Sequence, residues 1–191
     1  MEKMRVIVSE EIWDFDLDAA LGEISEQRRQ QALKFRHEQG RRTSVLAYLL
    51  LKQALREGYG ITANPLFEYG EHGKPAIIGH PEIHFSLSHC RDAVACAVGS
   101  RPVGIDVESI REYKEPLARY TMNDDELRQI VAAPRPEVAF IRLWTMKEAA
   151  LKQIGTGISN ELKTVLTDHA DLKFTTHVRP QYVYTVCEPV T

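Results

Sequence analysis

The hydrophobic pattern changes period several times along the chain, and each change marks an expected element. Val6 to Val8 form a short β-branched run that reads as an opening strand. From about Ser25 to Glu57 the apolar positions take helical spacing. Leu46, Leu49, Leu50 and Ala54 recur three and four residues apart, Ser25 suits the N-cap, and Gly58 closes the run. Short β-like pieces separated by turn signals follow between Leu66 and Glu108: "LFEY", "PAII", "IHFSLS", "AVACAVG" and "VGIDVE". A second helical block starts at Asn123, where "NDDE" supplies a cap and first-turn acids, and the prolines of "APRP" break it. A stronger helix spans about Glu137 to Ile154 and stops at "GTG", Gly155 to Gly157. "TVLT", "LKFTTHV" and "YVYTVCE" then read as strands.

Helix followed by antiparallel-type strands thus occurs twice, with no flexible linker or low-complexity segment between. The pattern predicts an α+β fold of two halves, residues 1–101 and 102–191, each a helix packed on a small antiparallel sheet within one compact unit. "AVACAV" and "YTVCEP" are candidates for equivalent strands of the two halves, although no sequence repeat is discernible.

Composition narrows the class without naming a chemistry. An apolar fraction of 43% and a charged fraction of 27% over 191 residues are those of a soluble globular protein. A formal charge of -3 and a pI of about 6.2 give no global reason to expect nucleic acid as a partner. Local clusters such as "QRRQ" and "GRRTS" still suit a small anionic pocket. Three cysteines, Cys90, Cys96 and Cys187, make neither an even disulfide set nor a metal-type pair, so a reducing, cytoplasmic compartment is expected. The opening "MEKMRVIVSEE" lacks a signal-peptide core, and the longest apolar run, "VLAYLLL", is far short of a membrane span.

The informative stretch is "GIDVE", Gly104 to Glu108. On a strand, Asp106 and Glu108 face the same way, roughly 6.6 Å apart along the chain, and repel each other. Later, "LWTMKEAALKQ" places Trp144, Lys147, Glu148 and Lys152 at three- and four-residue spacings near one helix stripe. Alone this is an ordinary surface helix with a Glu148–Lys152 pair. Beside Asp106 and Glu108, however, Glu148 would complete an all-oxygen cluster of the type Mg²⁺ takes while sharing its shell with substrate phosphates. The cation would relieve the carboxylate repulsion, and Lys147 and Lys152 would meet the remaining phosphate charge. Two weaker stretches agree: "EHGKP" presents Lys74 on a turn, and "FSLSHC" ends a strand in Ser88 and His89. Cys90 beside His89 is no nucleophile pair, because adjacent strand residues point to opposite faces.

Taken in order, "HGKP", "FSLSH", "GIDVE" and "WTMKEAALK" resemble the motifs of the 4′-phosphopantetheinyl transferase superfamily, specifically its Sfp-type branch. The resemblance covers about Arg36 to Ser159. It implies transfer of 4′-phosphopantetheine from coenzyme A to a serine of an acyl or peptidyl carrier protein, with release of 3′,5′-ADP. It also implies Mg²⁺, with Mn²⁺ as the alternative ion, held by Asp106, Glu108 and Glu148. Lys152 would contact the phosphates, and Lys147 would join it or support the site's geometry. Lys74 and Pro75 would lie at the adenine and phosphate end, Ser88 and His89 would match the Ser-His pair with His89 at the 3′-phosphate, and Arg42 would reach the same phosphate. Glu148 is the implied base, with Glu108 second. "KFRHEQGRRT" is about one residue shorter than in the relatives, which leaves Lys34, Arg36 and Arg41 unassigned, and Thr156 replaces a residue often basic in Sfp itself. The chain's length implies the larger branch, a monomer of two pseudo-twofold-related halves with the site between them. Partners would be coenzyme A and carrier proteins, without nucleic acid or membrane. Two other readings stay open on the residues alone: another Mg²⁺-dependent nucleotide phosphotransferase or phosphohydrolase, and a non-catalytic coenzyme A-binding module.

Overall fold

A computed structural model of the chain describes residues 4–156 and 162–190. Gly157 and Ser159, used above as a helix stop and as the end of the resemblance, lie outside the described residues. Strand β1 (Arg5–Ser9) is followed by helices α1 (Leu17–Glu23), α2 (Glu26–Leu33) and α3 (Glu38–Tyr59). Strands β2 (Phe67–Tyr69), β3 (Pro75–Ile77), β4 (His84–His89), β5 (Val94–Gly99) and β6 (Gly104–Ser109) come next. Helices α4 (Glu115–Thr121), α5 (Asp124–Ala132), α6 (Pro136–Ile154) and the short α7 (Val165–Asp168) precede β7 (Leu172–Val178) and β8 (Tyr182–Pro189).

Two three-stranded antiparallel sheets, ordered β1-β5-β4 and β6-β8-β7, have the same connectivity, and β2 and β3 form a separate hairpin. In each sheet the first strand of the half pairs with its last strand, which lies in the middle. The central strands are β5 and β8, which hold "AVACAV" and "YTVCEP". Helix α3 packs on the first sheet and α6 on the second.

The residue sizes in β5 follow from what covers each face. Val94, Cys96 and Val98 join the core beneath α3, together with Leu51 and Leu55. Ala93, Ala95 and Ala97 point the other way and pack with Val103, Ile105, Val107, Tyr182 and Tyr184 of the second half. Alanines on that face let the two sheets approach closely, and burial on both faces explains why the strand is apolar at nearly every position. The Tyr182 hydroxyl closes the seam by donating to Glu10 at 2.8 Å.

Several sequence expectations need correction. The expected helix from Ser25 to Glu57 is two helices. Ser25 does cap α2, its hydroxyl accepting from Arg28 N at 3.2 Å, but the chain turns between Lys34 and His37 and Phe35 folds over Gly40, where no Cβ intervenes. No proline or glycine marks that break; it is made by tertiary packing. Helix α3 runs through Gly58 and ends at Gly60, whose φ of 68° is the left-handed cap, with Gly60 N donating to Arg56 O and Ile61 N to Leu55 O. "TVLT" is not a strand. Val165 and Leu162 are buried against Ala150 and Leu151 of α6, and Thr167 and Asp168 donate back to the Thr164 carbonyl, so packing overrides the β-propensity of Thr and Val. Helices α1 and α4 were not expected. Both are only seven residues long, α1 capped by Asp16 and α4 started by a proline in its first turn. Helix α5 matches expectation, with a full capping box between Asn123 and Glu126. Among the described residues, no helix is long and apolar enough to cross a membrane.

Candidate active site

Helix α6 lies directly on β6, and Gly104 permits it: a Cβ there would sit 1.9 Å from the Ala149 carbonyl oxygen and 2.6 Å from Gln153 N. Both are backbone atoms that cannot step aside. This approach brings the last turns of α6, with Glu148 and Lys152, against Asp106.

Asp106 is 4% exposed. Its Oδ1 accepts from Lys152 Nζ at 2.7 Å and from Ser88 Oγ at 2.8 Å, while Oδ2 is buried without a partner among the described residues. Glu148 Oε1 is likewise buried and unpartnered. Two orphaned carboxylate oxygens in one protein interior are costly and unusual. Burial raises the Glu148 pKa first, Asp106 adds to the rise, and Lys152 opposes it. Glu108, half-buried, is raised by burial and then by Asp106, against the pull of Arg111, a hydrogen bond from Trp144, and Lys152. The donor set is all-oxygen and anionic, and it carries free lone pairs beside a cation, which is the chemistry of a divalent-ion seat. In the present geometry the three carboxylates do not close on one point, and no trio of Asp, Glu, His or Cys does so among the described residues. Asp106 and Glu148 supply the orphaned oxygens.

A cleft of about 320 Å³ opens beside these carboxylates, between the β2–β3 turn, β4 and α6. Glu148 and Lys152 line one wall and His72, Gly73, Lys74 and Pro75 the other; Phe85, Ser86 and Leu87 lie between them and Leu151 and Gly155 complete it. Lys74 crosses from one half to the other, its Nζ donating to the Gln153 carbonyl at 2.6 Å near the end of α6. Burial lowers its pKa.

The superfamily profile of the 4′-phosphopantetheinyl transferases matches residues 102–187, which contain β6, α6 and β8. The chain is 34% identical over 170 residues to 4′-phosphopantetheinyl transferase psf-1 of Bacillus pumilus, covering 85% of this chain and 73% of that protein. The chain belongs to the 4′-phosphopantetheinyl transferase superfamily. It is also 31% identical over 139 residues to 4′-phosphopantetheinyl transferase Sfp of Bacillus subtilis (strain 168), covering 71% of this chain and 62% of that one. With 4′-phosphopantetheinyl transferase AcpT of Salmonella typhi it shares 38% identity over 122 residues, 60% of each chain. Kinship at this level is with the Sfp-type branch.

Of the residues that the superfamily motifs single out, Asp106, Glu148, Lys152, Lys74 and Pro75 come together around the cleft, with Glu108 on the same face of β6. Ser88 sits behind Asp106. Its hydroxyl accepts from Val107 N at 3.2 Å as it donates to the carboxylate, and Ser86 accepts from Ile105 N at 3.0 Å. These two side chains replace a backbone ladder between β4 and β6. His89 ends β4, exposed, with its ring edge-to-face with that of Phe35. Although solvent reaches the ring, the concave surroundings lower its pKa first, followed by Lys152 and Arg28.

Two expected site residues point elsewhere. Arg42 is held by Glu38 at 2.7 Å and the Phe15 carbonyl at 2.9 Å, over the rings of Trp13 and Phe15. Lys147 is wholly buried, donating to Glu126 at 2.8 Å and to the Leu162 carbonyl at 2.6 Å. Burial lowers its pKa and Glu126 opposes the shift. Lys34 lines a separate cleft between α2 and β2 with Arg28 and Tyr69, and Arg41 donates to the Phe35 carbonyl. Sequence reasoning missed Ser86, Phe85 and Leu87; the alternation of "FSLS" already placed Ser86 on the face of Ser88.

Proposed function

We propose that the chain transfers the 4′-phosphopantetheine group of coenzyme A to a serine of an acyl or peptidyl carrier protein and releases 3′,5′-ADP. The observation that supports this most is the pair of orphaned buried oxygens, Asp106 Oδ2 and Glu148 Oε1, beside Lys152 at the wall of a cleft. Asp106 and Glu148, with Glu108, would hold Mg²⁺, or Mn²⁺ in its place, and a bound cation there supplies neutralisation of pyrophosphate charge.

The remaining steps belong to the chain's own side chains. Lys152 and Lys74, whose ammonium lies at the Gln153 carbonyl near the end of α6, bind the donor phosphates, and His89 meets the 3′-phosphate. The carrier serine Oγ forms a bond to the phosphorus that bears the pantetheine arm. The bond from that phosphorus to the bridging oxygen breaks, and its electron pair leaves with 3′,5′-ADP. Glu148 takes the serine proton through the carboxylate oxygen not given to the cation, with Glu108 second. Positioning contributes more than base strength, because phosphoryl transfer leaves the protein little covalent work. In the same reading the chain acts as a monomer of two pseudo-twofold-related halves, divided between residues 101 and 102, in the cytoplasm.

The test is to incubate the protein with Mg²⁺, coenzyme A and a panel of apo-carrier proteins, then weigh the intact carriers. The expected result is a gain of one phosphopantetheine mass on at least one carrier. No gain on any carrier, with nucleotide turnover in its place, would point to a phosphohydrolase.

A further inference from the structure

Within the proposed transferase site, Lys147 and Glu148 are neighbours in sequence but turn away from each other. Successive helix residues diverge by about 100° around the axis. Glu148 and Lys152, four apart, share the face toward β6, whereas Lys147 enters the protein on the side of α5. There its ammonium meets Glu126 Oε1 at 2.8 Å and the Leu162 carbonyl at 2.6 Å, wholly out of solvent.

Glu126 is itself held on both sides. Its Oε2 accepts from Asn123 N at 2.8 Å within the capping box, and Asn123 Nδ2 donates to the Lys163 carbonyl at 3.1 Å. The start of α5, the chain at residues 162–163 and the middle of α6 are therefore tied through one buried ion pair. A second tie fixes another azimuth of α6: Thr145 Oγ1 lies 2.8 Å from Thr185 Oγ1, which lies 2.9 Å from Thr176 Oγ1. Ala149 against Gly104 lies four residues on from Thr145, on the same face of α6, so the helix is held against rotation on two sides, toward the sheet and toward α5.

We propose that Lys147 is a positioning residue, a buried brace with Glu126 and the Leu162 carbonyl that sets the rotation of α6 and so aims Glu148 at Asp106. It never touches the donor phosphates. A brace of this kind matters because Glu148 Oε1 has no partner among the described residues to hold it in place. Its direction is set by the helix that carries it.

Three variants test the brace: Lys147→Met, Glu126→Gln and the double Lys147→Met/Glu126→Leu. Coenzyme A affinity is read by calorimetry, turnover by carrier mass, and the seating of Glu148 by the rise in melting temperature that Mg²⁺ produces. For Lys147→Met, kcat is expected to fall at least about tenfold, as small misplacements do, with donor affinity within about twofold. The Mg²⁺-induced rise shrinks in the same variant. Glu126→Gln, which lies far from any phosphate, shows the same pattern more weakly. The double variant, with no buried charge left unpaired, recovers melting temperature and part of kcat; it carries the test with Glu126→Gln if Lys147→Met does not fold. A loss of donor affinity in Lys147→Met, unchanged turnover, or a silent Glu126→Gln overturns the proposal. A wild-type protein that modifies no carrier refutes the transferase reading instead, while the Mg²⁺ response of the variants still decides whether Lys147 seats Glu148.

Discussion

Lys152 donates to Asp106 Oδ1 at 2.7 Å, while the second oxygen of the same carboxylate is buried with no partner among the described residues. One lysine thus neutralises half of a carboxylate whose other half, with Glu148, remains unanswered. A divalent cation binding the folded state there stabilises it by mass action. Mg²⁺ is expected to raise the melting temperature of the wild-type protein in a thermal scan. Glu148→Gln, which removes one anionic ligand and leaves the Lys152–Asp106 bond, shows a smaller rise. Equal rises in both proteins would contradict the assignment of Glu148 as a ligand.

The approach of α6 to β6 rests on a missing side chain. Gly104→Ala forces a Cβ into the Ala149 carbonyl at 1.9 Å and is expected to cost about 3 kcal/mol or more in urea denaturation. Gly22, in α1, has nothing within 4 Å of such a Cβ, so Gly22→Ala should be stabilising by about 0.5–1 kcal/mol. A Gly104→Ala protein as stable as wild type would mean that α6 does not lie where it is described.

Lys74 reaches across the cleft from the β2–β3 turn to the Gln153 carbonyl. Lys74→Ala is expected to raise the coenzyme A KM about tenfold with kcat changed less than about threefold, the pattern of lost ground-state binding. Steady-state kinetics at varied coenzyme A decide it, and the opposite split would move Lys74 into the reacting machinery.

At the seam between the halves, burial first and then the Glu10 hydrogen bond push the Tyr182 phenol up to about 12 from an ordinary 10.0. The folded state therefore holds this proton more tightly than the unfolded chain. Its contribution to stability is full below pH 10 and is lost as pH rises toward 12. Urea midpoints measured from pH 9 to 12 should fall more steeply for wild type than for Tyr182→Phe. Parallel profiles would show that the proton is not held there.

The candidate site was legible where local geometry alone decides direction. Strand alternation placed Asp106 and Glu108 on one face, and four-residue helical spacing placed Glu148 and Lys152 together. For Lys147, local geometry decides less. Its spacing from Trp144 and Lys152 suggested a shared stripe, but only α5 and residue 162, distant in sequence, decide that its ammonium is buried. Ser88 looked like a ligand for phosphate because nothing local shows that β4 lies alongside β6 and needs a hydroxyl to satisfy Val107 N. The break between α2 and α3 and the helical turn at Val165 were hidden in the same way: Phe35 on Gly40, and Val165 under α6, are tertiary contacts that override local propensity. Arg42 matched a motif by position, yet Trp13, Phe15 and Glu38 hold its guanidinium.

The mass of an apo-carrier protein after one incubation with coenzyme A is the most direct measurement of the whole arrangement. Wild-type protein is expected to add phosphopantetheine with Mg²⁺ present and to stop when the cation is chelated. Asp106→Asn, folded by circular dichroism, should leave the carrier unmodified under the same conditions. Undiminished modification by Asp106→Asn, or by wild type in the chelator, would contradict the site.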